Sequence, residues 1–251
     1  MAEFSSGDVS IAYEVEGEGQ PILLIHGFSA TAEDNWVRTG WVQALTRARF
    51  KVVRFDLRGH GRSGKLHDPA DYGIAKHTAD ALALLDHLGI AKADLMGFSM
   101  GAGIAMRLAA YHGERFGLVV LAGVGGKALE PASSFGTKTA EALEAADPGT
   151  IEDRTAKAFR LYAENLGQDL KSIAACARAP REGSAADLLP LIRNRSLVIA
   201  GARDDLAGDP HALSELMADA RAEIIPGTDQ MFARPNPMFK GAVMDFLTGY
   251  A

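Results

Sequence analysis

A serine lies between two glycines in the segment Gly97 to Gly101, which has the sequence Gly-Phe-Ser-Met-Gly. Apolar residues typical of a strand precede the serine, and a helical pattern begins at Ser99 itself. A sharp turn from a strand into a helix strains its central residue and requires small neighbours. Free N–H groups at a helix N-terminus stabilise negative charge on a reacting oxygen. The segment therefore predicts that Ser99 is a nucleophile and that the Met100 N–H is an oxyanion donor.

Two other segments also follow apolar strand patterns. His26, Gly27 and Phe28 come directly after the run at 21–25, and residues 56–63, Asp-Leu-Arg-Gly-His-Gly-Arg-Ser, follow the next run. Together with the serine segment, and in this order, they closely resemble the hallmark segments of the α/β-hydrolase fold family. The resemblance covers essentially the whole chain apart from a helical stretch. It implies a serine esterase-like branch of the family with a helical cap.

The resemblance implies roles for several of these residues. The backbone N–H of Phe28 is expected to be the second oxyanion donor. His26 is expected to orient its loop through hydrogen bonds and not to act as a base. Asp56, Arg58 and His60 are likewise expected to form a hydrogen-bonded loop network without a catalytic role.

An acidic residue of the family normally follows a late strand in a Gly-x-x-Asp pattern. Gly201–Asp204 matches this pattern directly after the apolar run Ser196–Ala200. The resemblance therefore implies that Asp204 orients the catalytic base and stabilises its charged form. Asp205 and Asp209 are the alternatives, although both could instead be exposed acids that lead into the next helix.

The catalytic histidine of the family normally lies in a loop after the last strand, preceded by Pro-Gly and two more residues. Gln230 fills that position, because the chain has the sequence Pro-Gly-Thr-Asp-Gln from Pro226. An amide is not a general base near neutral pH, whereas imidazole titrates near about pH 6.5. General acid–base catalysis contributes roughly 10² to 10⁴-fold, so impaired hydrolysis is expected.

Two explanations for Gln230 stay open. It could mark a natural member of the family that binds ligands or performs other chemistry. It could instead replace the histidine of an active parent enzyme. The second explanation is favoured because Ser99, Asp204 and both oxyanion segments are all retained.

The favoured hypothesis for function is a carboxylic-ester hydrolase that forms an acyl-enzyme at Ser99 and needs no metal or organic cofactor. Lactone opening, carbon–carbon bond hydrolysis and perhydrolysis use similar serine sites and are alternatives. Haloalkane dehalogenation is disfavoured because it uses a carboxylate nucleophile. A hypothesis from a different class is a non-catalytic protein that binds a ligand in the capped pocket.

The ligand is expected to bind between the cap and the carboxyl ends of the strands. Apolar and aromatic side chains from several segments are candidates for the pocket walls, although each could instead pack in the core. These candidates are Phe28, Trp36, Met100, Val124, Phe135, Phe159 and Met231. Their types favour an apolar acyl or alcohol group in a small, ester-like substrate.

Short β-rich runs alternate with longer helical patterns, which predicts an α/β fold with a doubly wound, mostly parallel sheet. The predicted strands are Val9–Val15, Pro21–His26, Lys51–Asp56, Asp94–Phe98, Leu118–Ala122, Ser196–Gly201 and Glu223–Pro226. The predicted helices are Asp34–Arg47, Ile74–Leu88, Ser99–Tyr111, Pro210–Ala220 and Pro237–Leu247. The stretch Lys127–Arg195 has helical periodicity and no convincing strand, so it is predicted to be a cap within a single domain, 1–251.

Composition limits the remaining classes of function. The chain has 251 residues, of which 47% are hydrophobic and 23% charged, as in globular domains with a substantial core. A net charge of −6 and the lack of a Lys/Arg run argue against a nucleic-acid partner. No apolar stretch is long enough to cross a membrane, and the N-terminal sequence does not resemble a secretory signal, so a cytoplasmic location is expected. Cys176 is the single cysteine and is expected to be a packing residue, and the oligomeric state is open.

Overall fold

An eight-stranded sheet forms the centre of the computed structural model, which describes residues 2–130, 135–180 and 183–249. Its strands are β1 (Ala2–Ser6), β2 (Val9–Glu16), β3 (Gln20–Ile25), β4 (Phe50–Phe55), β5 (Ala93–Phe98), β6 (Phe116–Ala122), β7 (Ser196–Gly201) and β8 (Ala220–Ile225). Their spatial order is β1-β2-β4-β3-β5-β6-β7-β8. β2 pairs antiparallel with β1 and with β4, whereas all the other neighbours are parallel. The predicted α/β class and mostly parallel sheet are confirmed.

Helices connect these strands and cover the sheet. The α-helices are α1 (Trp41–Arg47), α2 (Ile74–His87), α3 (Met100–His112), α4 (Phe135–Glu144), α5 (Arg154–Asn165), α6 (Leu170–Ala177), α7 (Ala185–Leu188), α8 (His211–Ser214) and α9 (Pro237–Thr248). Single turns of 3₁₀ helix lie at Pro69–Asp71, Gly113–Arg115, Gly126–Leu129, Pro148–Thr150 and Leu189–Leu191.

The alternation of side chains along β3 explains why both faces of the sheet are covered. Leu23 and Ile25 point into a core shared with α2 and α3, whereas Ile22 and Leu24 point into a second core shared with α1 and α9. All four side chains are fully buried. Because successive residues of a strand face opposite sides, a wholly apolar strand requires a helical layer on each side. The resulting sandwich holds the carboxyl ends of the parallel strands in fixed positions.

Two predicted helices differ from the structure. The predicted helix Asp34–Arg47 is divided into a π-helical turn, Glu33–Val37, and α1, because Gly40 adopts a φ of 78° that ends the helical path. The predicted helix Pro210–Ala220 ends at Ser214 in the structure. Ala220 instead begins β8, which starts before the predicted Glu223 because it pairs with β7 over the full length of that strand.

All the longer elements described between β6 and β7 are helices. Helices α4, α5 and α6 surround a small apolar cluster made by Ala140, Leu143, Ala163, Ile173 and Ala174. The side chains that follow, Leu188, Leu189 and Ile192, join the core of the sheet instead. Residues 131–134 and 181–182 of the predicted cap lie outside the described residues. The cap limits at 127 and 195 and the single-domain organisation stay predictions.

Candidate active site

Ser99 lies at the turn from β5 into α3, with φ 54° and ψ −115°. Such angles are costly for a residue with a side chain and are maintained only when the surrounding structure enforces them. Two glycines make room for this turn, since a Cβ on Gly97 would overlap the carbonyl oxygen of Gly101, and one on Gly101 would overlap that of Ile25. The backbone N–H of Ser99 donates to the Ala122 carbonyl at 2.8 Å. Ser99 as a whole is half-buried.

Gln230 joins Ser99 to Asp204. The orientation of its amide follows from its neighbours, because only one orientation satisfies both of them. In that orientation Oε1 accepts a hydrogen bond from the Ser99 hydroxyl at 2.8 Å, and Nε2 donates to both carboxylate oxygens of Asp204, with Oδ1 at 3.2 Å. The structure therefore brings together these three predicted site residues. Asp205 and Asp209, the two alternative acids, are exposed.

Asp204 follows β7 and is 4% exposed. Its Oδ1 accepts hydrogen bonds from the N–H groups of Leu206 at 3.2 Å and Ala207 at 2.9 Å. Burial is the main cause that raises the pKa of this carboxyl to about 6; the charges of Asp229 and Asp205 contribute in the same direction, and the two hydrogen bonds oppose them. The carboxylate is thus ionised near neutral pH, which suits an acceptor for the Gln230 amide.

The segment after β3 lies beside Ser99 and forms a tight turn. Ala30 N–H donates to the Gly27 carbonyl at 3.3 Å, and Ser29 adopts a φ of 60°. A Cβ built on Gly27 would lie 3.5 Å from the Cβ of Ser99. Within the described residues, no backbone acceptor takes the N–H of Phe28.

His26 orients the peptide that carries this N–H. The backbone N–H of Leu57 donates to His26 Nε2 at 3.0 Å, so Nδ1 carries the proton and donates to the Gly27 carbonyl at 2.8 Å. Burial lowers the pKa of His26 to about 4, which keeps this tautomer neutral. Because a peptide unit is planar and trans, fixing the Gly27 carbonyl also fixes the opposite direction of the Phe28 N–H. The histidine thus has a positioning role, as the sequence indicates.

The loop after β4 forms the expected hydrogen-bonded network. Asp56 accepts from the N–H groups of Ala32 and Arg62, each at 2.8 Å. Arg58 makes two hydrogen bonds of 2.7 Å to Asp80, in a buried ion pair. His60 Nδ1 lies 3.0 Å from the Arg58 carbonyl, and burial lowers the pKa of His60 to about 3.

Three phenylalanines of the predicted pocket lie in contact. The ring of Phe28 meets that of Phe159 edge-to-face with centroids 5.5 Å apart, and Phe159 meets Phe135 in the same manner at 5.4 Å. All three are half-buried. They connect the turn beside Ser99 with α4 and α5.

The other predicted pocket residues have different surroundings. Trp36 has no exposed surface and packs against Trp41 in the core between the sheet, α1 and α9, so the structure places it in the core and not on a pocket wall. Met100 and Val124 are half-buried against the core on the opposite face. Met231 follows Gln230 and is 45% exposed.

A partly buried polar cluster beside the site was not predicted from the sequence. Arg234 donates to the Tyr162 hydroxyl at 3.1 Å, and that hydroxyl donates to Asp34. The Arg234 guanidinium also lies 5.2 Å from the centre of the ring of Phe98, the residue that precedes Ser99. The members are far apart along the chain, so no local pattern could have indicated this contact.

Two further features are absent from the described ranges. Residues 2–130, 135–180 and 183–249 contain no group of three or more His, Cys, Asp or Glu side chains arranged to hold a metal ion. No helix in these ranges is both long enough and apolar enough to cross a membrane.

Known proteins are similar to this chain in sequence and in fold. A family model described as alpha/beta hydrolase fold matches residues 20–172. The 3-oxoadipate enol-lactonase 2 of Acinetobacter baylyi is 30% identical over 87% of this chain and 85% of its own. The 2-hydroxymuconate semialdehyde hydrolase of Pseudomonas putida is 32% identical over 75% of this chain and 72% of its own.

A solved enol-lactonase from Burkholderia xenovorans superimposes with a TM-score of 0.83, at 25% identity over 98% of this chain and all of the other. The matches to the first curated relatives span between 30% and 51% of those proteins' length. The family match, the two relatives matched over most of their length and the shared architecture agree with one another. This chain belongs to the α/β-hydrolase fold family.

Proposed function

We propose that this protein acts on small carboxylic esters through an acyl-enzyme at Ser99 and turns them over slowly. The observation that carries the proposal is the position of Gln230, 2.8 Å from the Ser99 oxygen and hydrogen-bonded to Asp204. An imidazole at residue 230 would meet the same two partners, one as a proton acceptor and one as an orienting acid. The geometry of a serine hydrolase is therefore complete, apart from a group that can take the proton.

The proposed reaction begins when the Ser99 oxygen attacks the ester carbonyl carbon. Negative charge develops on the carbonyl oxygen, and the N–H groups of Phe28 and Met100 stabilise it. The serine proton must then leave, but the Gln230 amide oxygen accepts a hydrogen bond without binding a proton near neutral pH. The proton therefore passes to solvent, the ester C–O bond breaks, and the alcohol leaves after its oxygen takes a proton from solvent. Water then attacks the acyl-enzyme and gives a proton to solvent, the bond to the Ser99 oxygen breaks, the acid leaves, and the Ser99 oxygen regains a proton from solvent. An oxyanion site and substrate binding alone can still provide roughly 10³ to 10⁴-fold over water.

The half-buried phenylalanines support an apolar or aromatic group on the substrate. Phe28, Phe135 and Phe159 form a continuous aromatic surface that begins at a proposed oxyanion donor. Since two similar proteins are enol-lactonases, cyclic esters belong among the substrates to test. Opening a lactone uses the same attack on a carbonyl carbon as hydrolysis of a linear ester.

The experiment is a comparison of p-nitrophenyl acetate and butyrate hydrolysis by the protein and by Gln230→His, with Ser99→Ala as the blank. Histidine is expected to raise kcat/KM by about 10² to 10⁴-fold, the usual contribution of a general base. Gln230→Met has a similar size without a titratable group, so it serves as the matched control and is expected to bring no increase. If neither the protein nor Gln230→His exceeds the blank, the proposal is wrong.

A second candidate function is binding without turnover, and the hydrogen bond between Ser99 and Gln230 favours it. That bond uses the serine proton and leaves the nucleophile neutral. Intact-protein mass spectrometry after incubation with p-nitrophenyl butyrate separates the candidates. A butyryl adduct that is lost in Ser99→Ala supports the acyl-enzyme, whereas ester binding seen by calorimetry without any adduct supports a binding protein.

A further inference from the structure

Gln168 lies in the short connection between α5 and α6, and its backbone is fixed on both sides. Helix α5 ends at Asn165, Gly167 then adopts a φ of 65°, and the N–H of Gln168 donates back to the Ala163 carbonyl at 2.9 Å. The next residue, Asp169, caps α6 by accepting from the Ser172 N–H at 2.9 Å. The side chain of Gln168 is thereby directed inward and is only 7% exposed.

The amide of Gln168 makes three hydrogen bonds, all of them to two loops of the proposed site. Nε2 donates to the carbonyls of Ala30 at 2.8 Å and of Ser29 at 3.2 Å. Oε1 accepts from the N–H of Gly61 at 2.8 Å. Gln168 therefore joins the connection between two helices to the turn that carries Phe28 and to the network loop after β4.

The turn at 27–30 needs such support because it is strained. Ser29 has a φ of 60°, a value that favours glycine or asparagine at the third position of a turn. The buried hydroxyl of Ser29 has no hydrogen-bond partner among the described residues, so its own side chain does not stabilise the turn. If Ser29 relaxed to a negative φ, the Ala30 N–H would move away from the Gly27 carbonyl to which it donates. The Gly27–Phe28 peptide, which carries the Phe28 N–H, would then lose one of its two anchors.

We infer that Gln168 is a positioning residue that holds the turn in its strained form and so aims the Phe28 N–H at the reacting oxygen. Packing of α4, α5 and α6 against the turn then completes the oxyanion site. Phe28 adds an apolar contact to the same helices, since its side chain packs against the cluster that contains Ala163. This inference rests on the proposed function at Ser99.

The test uses phenylboronic acid, which reports on the oxyanion site without requiring turnover. The Ser99 oxygen forms a bond to boron, its proton passes to solvent, and the boron becomes tetrahedral and negatively charged. One boronate oxygen then occupies the position of the oxyanion. The dissociation constant is measured by calorimetry at one fixed pH, and boron NMR verifies that the bound form is tetrahedral.

Gln168→Met is expected to weaken boronate binding by about 10 to 100-fold. Loss of an oxyanion donor typically costs about 10² to 10³-fold, and here the donor is displaced and not removed. Adding Ser29→Gly to Gln168→Met is expected to recover most of the affinity, because glycine adopts a positive φ without strain. Glu144→Gln is the matched control, since it breaks an exposed ion pair to Arg178 within the same group of helices and is expected to leave the affinity unchanged.

The outcomes distinguish failure of the proposed function at Ser99 from failure of the positioning role of Gln168. A boronate that binds Ser99→Ala as tightly as the parent protein would overturn the proposed function and the inference that rests on it. Binding that depends on Ser99 but changes less than twofold in Gln168→Met, or that Ser29→Gly does not recover, would overturn the inference alone. If Gln168→Met does not fold, Gln168→Glu replaces it, because it keeps the acceptor for Gly61 but cannot donate to the turn when ionised. A change of less than twofold in Gln168→Glu, or one that Ser29→Gly does not recover, would likewise overturn the inference.

Discussion

Acid is expected to destabilise this protein through histidines that are buried in the neutral form. His26, His60 and His77 are at most 2% exposed. Burial lowers the pKa of His26 to about 4 and that of His60 to about 3, and it lowers the pKa of His77 well below its ordinary value. Each of them binds fewer protons in the folded than in the unfolded state. The stability that they contribute is therefore complete above about pH 6.5 and is lost as the pH falls toward the folded-state pKa values.

The size of this loss of stability follows from the linkage between protonation and folding. The pKa of His26 is about 6.5 in the unfolded and about 4 in the folded state, which lowers the free energy of unfolding by about 2 kcal/mol at about pH 5. His60 lowers it by another amount of about 2 kcal/mol. Asp204 acts in the opposite direction. Its raised pKa of about 6 lets the folded state bind a proton at a higher pH than the unfolded state does, which raises the free energy of unfolding by about 1 kcal/mol at about pH 5. The expected net loss from these groups is about 3 kcal/mol, a large part of the roughly 5–15 kcal/mol that stabilises a typical domain.

Urea unfolding at about pH 7.5 and about pH 5 measures this loss directly. Two buried tryptophans, Trp36 and Trp41, provide the fluorescence signal. His60→Asn keeps a donor for the Arg58 carbonyl and is expected to reduce the difference between the two pH values by about 2 kcal/mol. His67→Asn is the control, because the His67 side chain is 55% exposed. A free energy of unfolding that falls by less than about 1 kcal/mol, or that rises, would refute the reasoning.

Two substitutions at the site should affect stability in opposite directions. Gly97→Ala is expected to lower the free energy of unfolding by more than about 2 kcal/mol, because its methyl group would overlap the Gly101 carbonyl; an unchanged urea midpoint would contradict this. Asp204→Asn is expected to raise it by about 1–3 kcal/mol near neutral pH, since the raised pKa shows that the buried charge is costly. The same change in a Gln230→His background is expected to abolish the gained esterase activity, and retained activity would show that Asp204 does not orient residue 230.

Local patterns predicted the strands and the nucleophile turn because their causes are local. The apolar run at 22–25 must be buried on both faces, and Gly97 and Gly101 leave the space that a sharp turn at Ser99 needs. β1 was not predicted because it is an edge strand in which only Phe4 is buried. The division of the helix before Arg47 depends on Gly40, and an isolated glycine within a helical pattern does not reveal whether it adopts a positive φ.

Contacts between distant segments could not be predicted from the sequence. Gln168 meets Ala30 across more than a hundred residues, and nothing in the sequence around Gln168 indicates a buried amide. Trp36 shows a related difficulty, because a large aromatic residue suits a pocket wall and a core equally well. Only its packing against Trp41, on the face of the sheet that α1 and α9 cover, decides between them.

The features retained around Gln230 favour a ligand that reacts with, or closely approaches, Ser99. The Gln230 amide bonds both the Ser99 hydroxyl and the Asp204 carboxylate, as an imidazole would under the proposed function, but it does not change its protonation state near neutral pH. Ser29 and Ser99 adopt strained positive φ values, and Asp204 is buried as a charge, so each of these features lowers stability. A protein with a purely structural role would gain stability by losing them. Their presence together is explained if the N–H groups beside Ser99 still bind a carbonyl oxygen.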